Sequence, residues 1–158
     1  MSKLKNYTTT VPAQRSINEI LGLLFEFHAY SVTPVSSNSD GKVDGLSFTM
    51  MMKDGDCPAV PVTFMLPASV RKVQTIIWQD YRETTSRGRK AFEDFEEDAE
   101  NIAWRILHDW VHAQLSIIRI GMVHAVQVFL PYAWDGKQTL YDKILAGGGK
   151  LLTDGGAK

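Results

Sequence analysis

A single cysteine, Cys57, rules out any disulfide within the chain, and its place between Asp56 and Pro58 supplies no neighbouring base to activate a thiolate. Long apolar runs are also missing. No window approaches the roughly 18 consecutive apolar residues that a helical membrane span requires, and the opening MSKLKNYTTT has no apolar stretch after its lysines, so no signal peptide is expected. A net excess of either charge is absent as well. Seventeen Lys and Arg against 18 Asp and Glu give a formal charge of −1, so attraction to nucleic acid or an anionic membrane would need a local patch. These absences point to a cytoplasmic protein with no membrane partner.

What is present fits one domain. With 158 residues, 44% apolar and 22% charged, the chain has an ordinary globular composition. A chain of this length buries roughly 70% of its unfolded surface and needs no disulfide or metal to hold a core. We expect one domain over residues 1–146 and a flexible glycine-rich tail over 147–158. The GGGK of that tail lacks the spacing and the following Ser or Thr of a phosphate-binding loop.

Changes of hydrophobic period divide the chain. Ile17, Leu21, Leu24, Phe25 and His28 recur at helical spacing, which predicts a helix over Ala13 to Ala29, with Ser16 as its cap and Glu19 reaching back. The pattern then becomes extended. Ser31 to Val35, the alternating GLSFTMMMK from Gly45, and VPVTFMLP from Val60 to Pro67 predict an antiparallel meander, to which Tyr7 to Val11 would add a strand. Val70, Val73, Ile77 and Tyr81 mark another helix, and TTSRGRK after it is a candidate mobile loop.

From Ala91, about 30 residues run without proline or interior glycine to a stop at Gly121. The acidic start, Glu93 to Glu100, and Arg119 near the end complement a helix dipole, and the acidic run is expected to face water. Phe92, Phe95, Ala99, Ile102, Ala103, Ile106, Trp110, Ala113 and Ile117 trace one apolar face. Trp104, Leu107, Val111, Leu115 and Ile118 carry it round most of the circumference. Such a helix should lie deep in the domain or in a subunit interface, so a homo-oligomer is expected. MVHAVQVFLPYAW reads as a further strand ended by Pro131, and DGKQTLYDKIL as a turn and a short helix, with Tyr132 and Trp134 packed beneath it. The fold class is therefore α+β: a small antiparallel sheet against a long, mostly buried helix, with two or three shorter helices.

Two constellations bear on chemistry. In HDWVH, His108 and His112 stand one helical turn apart, the spacing that lets two imidazoles share a zinc, with His124 as a possible third ligand. Asp109 occupies the place where a zinc protease needs the longer Glu as general base. The reading preferred is a polar seam of Arg105, His108, Asp109, His112 and Arg119, with Asp109 bonded to a cation; no metal or other cofactor is expected, and a zinc hydrolase is the alternative. The second constellation is Arg71, Lys72, Arg82, Arg87, Arg89 and Lys90 with Trp78 and Tyr81 among them. Arginine beside aromatic rings holds phosphates while bases stack, although a solvated helix face has the same composition.

AWRILHDWVHAQLSII, followed after a short gap by VFLPYAWDGKQTLYDKI, resembles the C-terminal part of small uncharacterised proteins encoded by bacteriophages and prophages. NYTTTVPAQRSINEILGLL with GLSFTM and VTFMLP is similar to the opening of the same group. The resemblance covers most of the chain. It implies a phage-linked origin, hence the host cytoplasm, and favours a binding protein over an enzyme by association alone. The expected function is accessory or host-interfering capture of an anionic nucleotide or a host protein; single-stranded nucleic-acid binding through the same cations is the alternative.

Overall fold

The computed structural model describes residues 3–36, 41–53, 55–85 and 88–148. They form α1 (Ala13–Glu26), β1 (Ser31–Val35), β2 (Gly45–Met52), β3 (Val60–Pro67), α2 (Val70–Thr84), α3 (Glu96–Arg119), α4 (Ala125–Phe129) and α5 (Leu140–Ala146), with 3-10 turns at Glu93–Phe95 and Leu130–Tyr132. The architecture is α+β, an antiparallel sheet beside a long helix of the C-terminal half. No helix among the described residues is long and apolar enough to cross a membrane. Of the expected tail, residues 149–158 lie outside the described set.

The sheet has the order β1-β2-β3, antiparallel throughout. Alternation sends Leu46, Phe48, Met50, Phe64 and Leu66 inward, and the register sets Phe48 opposite Phe64 with ring centroids 5.2 Å apart. The other face carries Ser31, Thr33, Ser47, Thr49 and Thr63 and no charge; Thr49 and Thr63 hydroxyls share a 2.8 Å hydrogen bond across the strands. Gly45 is required where it stands. A Cβ there would come within 2.8 Å of the Leu66 carbonyl oxygen, which belongs to rigid backbone.

Helix α1 buries Ser16, Ile17, Ile20 and Leu24 against the inner face of the sheet and α3. The expected cap at Ser16 is incorrect. Pro12 starts the helix, its carbonyl accepting from the Arg15 and Ser16 amides, and Ser16 lies a turn inside, buried; Glu19 instead reaches Arg15 and Arg105. Proline fits because a helix start lacks amide partners anyway. The helix also ends three residues before Ala29. His28 adopts φ 66°, which turns the chain so that the Ala29 amide reaches the Leu24 carbonyl.

Two apolar clusters meet on α3. From Trp104 onward, through Leu107, Val111 and Leu115, it faces the sheet and α1. Its first half, through Ala99, Ile102 and Ala103, joins Phe95 and packs on Val73 and Ile77 of α2. The buried side thus moves round the helix along its length, which is why its sequence is apolar nearly all round; Ala113, placed on the expected single face, is exposed. The helix begins at Glu96 rather than Ala91, because a 3-10 turn precedes it and the Asp94 carboxylate accepts the Ala91 amide. Gly121, at φ 78°, ends it as expected, with the Met122 amide returning to the Ile117 carbonyl.

Two expected strands are not strands. At Tyr7–Val11 the chain makes tight turns, Asn6 adopting φ 63° and the Thr9 amide bonding the Asn6 carbonyl, so that Leu4 and Tyr7 pack on the α2–α3 cluster. Ala125 to Pro131 is not extended either: it forms α4 and a 3-10 turn containing Pro131. Ala125, Val128 and Phe129, at i, i+3 and i+4, supply a helical face that outcompetes the alternation of Val126, Val128 and Leu130. The Gln127 side chain accepts the His124 amide at 2.8 Å and closes the first turn. Phe129 is fully buried, with ring centroids 5.3 Å from Phe48 and 6.1 Å from Trp110.

The short terminal helix forms as α5. Thr139 caps it by accepting the Asp142 amide, while Asp142 accepts the Thr139 amide in return. The Trp134 amide bonds the Thr63 carbonyl at 2.8 Å, which covers part of the outer edge of β3.

Candidate anion-binding face

Helix α2 has two sides of different chemistry. Val73 and Ile77 turn inward, and Gln74 is buried beside them, its amide donating to the Phe92 carbonyl at 3.0 Å. That bond fastens the segment leading to α3 along α2. It sets the Phe92 ring edge-on to Trp78, with centroids 5.6 Å apart. Arg71 lies over Phe92 at 4.6 Å and Arg82 over Trp78 at 4.9 Å. Arg71, Trp78 and Arg82 stand at i, i+7 and i+11, which a 3.6-residue period keeps on one stripe. The row therefore reads cation, ring, ring, cation.

A second group adjoins the same cluster. Tyr81 and Phe95 rings lie 5.2 Å apart, and Lys90 stands 5.4 Å over Phe95. Gly88 lies against Tyr81: a Cβ there would come within 2.6 Å of the ring, so a larger residue would require the Tyr81 side chain to shift. Lys72 and Arg89 are exposed and belong to no cation–π pair among the described residues, and Arg87 lies outside the described residues. Among the described residues, Arg71, Lys72, Arg82, Arg89 and Lys90 make no ion pair with a carboxylate. An open cleft beside the stripe is lined by Gln79, Arg82 and Glu83. The sequence supplied the cations, Trp78 and Tyr81. It did not supply Gln74, and it placed Phe92 and Phe95 only in the core; a partner 18 positions away in the chain leaves no local signal.

The polar seam is a junction between three segments. Arg105 bonds Glu19 at 2.6 Å, and Asp109 accepts from Lys5 at 2.8 Å and from Asn6 at 3.0 Å. Arg105 also stands 3.7 Å from Asp109. His108 sits between the carboxylates, Nδ1 3.1 Å from Asp109 and Nε2 3.4 Å from Glu19, and its ring stacks on His112 with centroids 6.1 Å apart. Arg119 does not join this junction; it lines a cleft of about 430 Å³ with Glu26, Phe27 and His28, where the parallel helices α1 and α3 both end. The electrostatics follow from these contacts. Burial raises the Asp109 pKa, but hydrogen bonds from Asn6, Lys5 and His108 outweigh it and hold the carboxyl well below the ordinary range. Arg105 and then Arg15 hold Glu19 low in the same way.

For the zinc alternative, the two ring nitrogens of His108 already face carboxylates, and His124 precedes α4 rather than lying on a strand. Among the described residues, no three His, Cys, Asp or Glu side chains are grouped so as to hold a metal ion. Tyr132 packs on Trp110 with centroids 5.5 Å apart, as structural packing requires. Comparison with protein-family models, curated proteins and solved structures finds no match.

Proposed function

We propose that this is a non-catalytic binding protein that captures a phosphate-bearing ligand on the α2 face. The observation that carries the reading is a set of five exposed cations without carboxylate partners among the described residues, three of them, Arg71, Arg82 and Lys90, held over aromatic rings. A solvated helix face usually mixes signs in i,i+4 pairs, as Arg15 and Glu19 do on α1. On α2 the guanidiniums instead lie over rings, Arg71 over Phe92, whose segment the Gln74 bond fastens, and Arg82 over Trp78, and among the described residues neither has a carboxylate partner. An accessory role of the kind implied by the phage resemblance requires nothing beyond such capture.

The test is calorimetric titration of the protein with ATP and with a 20-nucleotide oligothymidylate at low salt. Binding of either probe, weakened at least tenfold in Arg71→Ala/Arg82→Ala, is the expected result; tenfold corresponds to about 1.4 kcal/mol, a lower bound for the loss of two charge-assisted contacts. Absence of heat with both probes would refute the reading.

A further inference from the structure

We infer that the phosphate-bearing ligand of the α2 face is single-stranded nucleic acid, its phosphates on Arg71 and Arg82 and its bases against the rings and guanidinium planes between them. The inference rests on the function proposed above and names its ligand class. Two features separate a strand from a small nucleotide or a duplex, and a third bears on the strength of binding.

The first is layout. A single terminal phosphate is best held by cations that converge on one point. Arg71 and Arg82 are instead separated by eleven residues of helix, about 16 Å at 1.5 Å per residue, with Phe92 and Trp78 between them. Dispersed cations with rings between them match repeating phosphates with bases between them.

The second is the state of the rings. Trp78 and Phe92 are half-buried and meet edge to face, and each offers one face to a guanidinium. A planar guanidinium over a ring is itself a platform on which a base stacks. A duplex has no free base faces to offer and gains nothing from this arrangement.

The third is rigidity. The buried Gln74 amide fixes Phe92 from below, so the platform is formed before any ligand arrives and little ordering accompanies binding. Negative charge is also close by. Glu83 lines the cleft beside Arg82, and Glu93 and Asp94 follow Phe92, so affinity is set in the range of sequence-independent binding, about 10⁻⁵ M, rather than nanomolar.

The experiment is fluorescence anisotropy of the full chain with labelled dT20, rU20, a 20-base-pair duplex and polyglutamate, with ATP as competitor, between 50 and 200 mM salt. Three or four neutralised phosphates should weaken single-strand binding about 20- to 50-fold over that range. Binding of dT20 or rU20 in preference to the duplex supports the inference, and the preferred strand identifies the sugar. Arg82→Lys retains charge and loses the planar guanidinium, so it should weaken the single strand severalfold while leaving thermal unfolding in place. If ATP binds as tightly as the oligonucleotides, or polyglutamate or duplex does, the inference is overturned while capture of an anion on this face stands. If no probe binds, both fail.

Discussion

Gln74 illustrates how one buried side chain decides the geometry of a surface. Its amide is almost wholly enclosed and its partner, the Phe92 carbonyl, has its place in the segment that brings two rings beneath two arginines. Gln74→Leu keeps the volume and removes the donor, leaving that carbonyl without its bond. The expected cost is about 1–3 kcal/mol in urea unfolding, with weaker oligonucleotide binding at temperatures where the variant remains folded. Because the folded-state pKa of Asp109 lies below its unfolded value, its contribution is complete above about pH 4, the unfolded value, and is lost as pH falls through the folded one. Asp109→Asn should therefore lower stability at neutral pH, and the gap to the parent protein should narrow progressively as pH falls below 4. Thermal unfolding of both proteins across that series checks it; a gap that persists unchanged at pH 2 would show that the Lys5, Asn6 and His108 contacts do not act through the carboxylate charge.

At the scale of elements, legibility in the sequence followed length. The 24 residues of α3, the 15 of α2 and the paired eight-residue strands β2 and β3 have enough repeats for one period to dominate. The five residues of α4 do not. Their valines alternate like a strand, and only burial of Phe129 among Phe48, Phe64 and Trp110 selects the helical face. Tyr7–Val11 failed for a related reason, since β-branched threonines read as strand until Asn6 takes a left-handed turn. In the candidate site, the cations and Trp78 were legible because they are close together in the chain, whereas Phe92 and Gln74 meet only through the fold. Phe129→Ala would empty a site lined by three rings and cost about 3–5 kcal/mol, and it should loosen α4 and the following turn before the rest. Amide exchange checks the second half of that statement: faster exchange confined to residues 125–134 is expected, and uniform acceleration across α3 would show that α4 is not a separate docking unit.

On the scale of the whole molecule, α3 is the shared wall of two apolar clusters, one against the sheet and α1, one against α2, and Val70 packs on both. This division accounts for the long helix's apolar circumference within a single chain, so that pattern alone does not require a second copy. It also spreads function and stability unevenly, for the cationic stripe borders only the α2 cluster while the aromatic core of Phe48, Phe64 and Phe129 belongs to the other. A rigid 24-residue helix contributing to both clusters makes it costly to lose one and keep the other, so unfolding should be a single transition. The tryptophans separate the two possibilities, since Trp104 and Trp110 belong to the sheet-side cluster and Trp78 to the α2 side. With Trp78 replaced by Phe, fluorescence loses its α2-side reporter, and its urea midpoint should still coincide with that of helical circular dichroism. Two midpoints, the helical signal falling first, would mean that α2 detaches while the sheet and α1 remain on α3, and the α2 face would then be a separable binding layer rather than part of one cooperative domain.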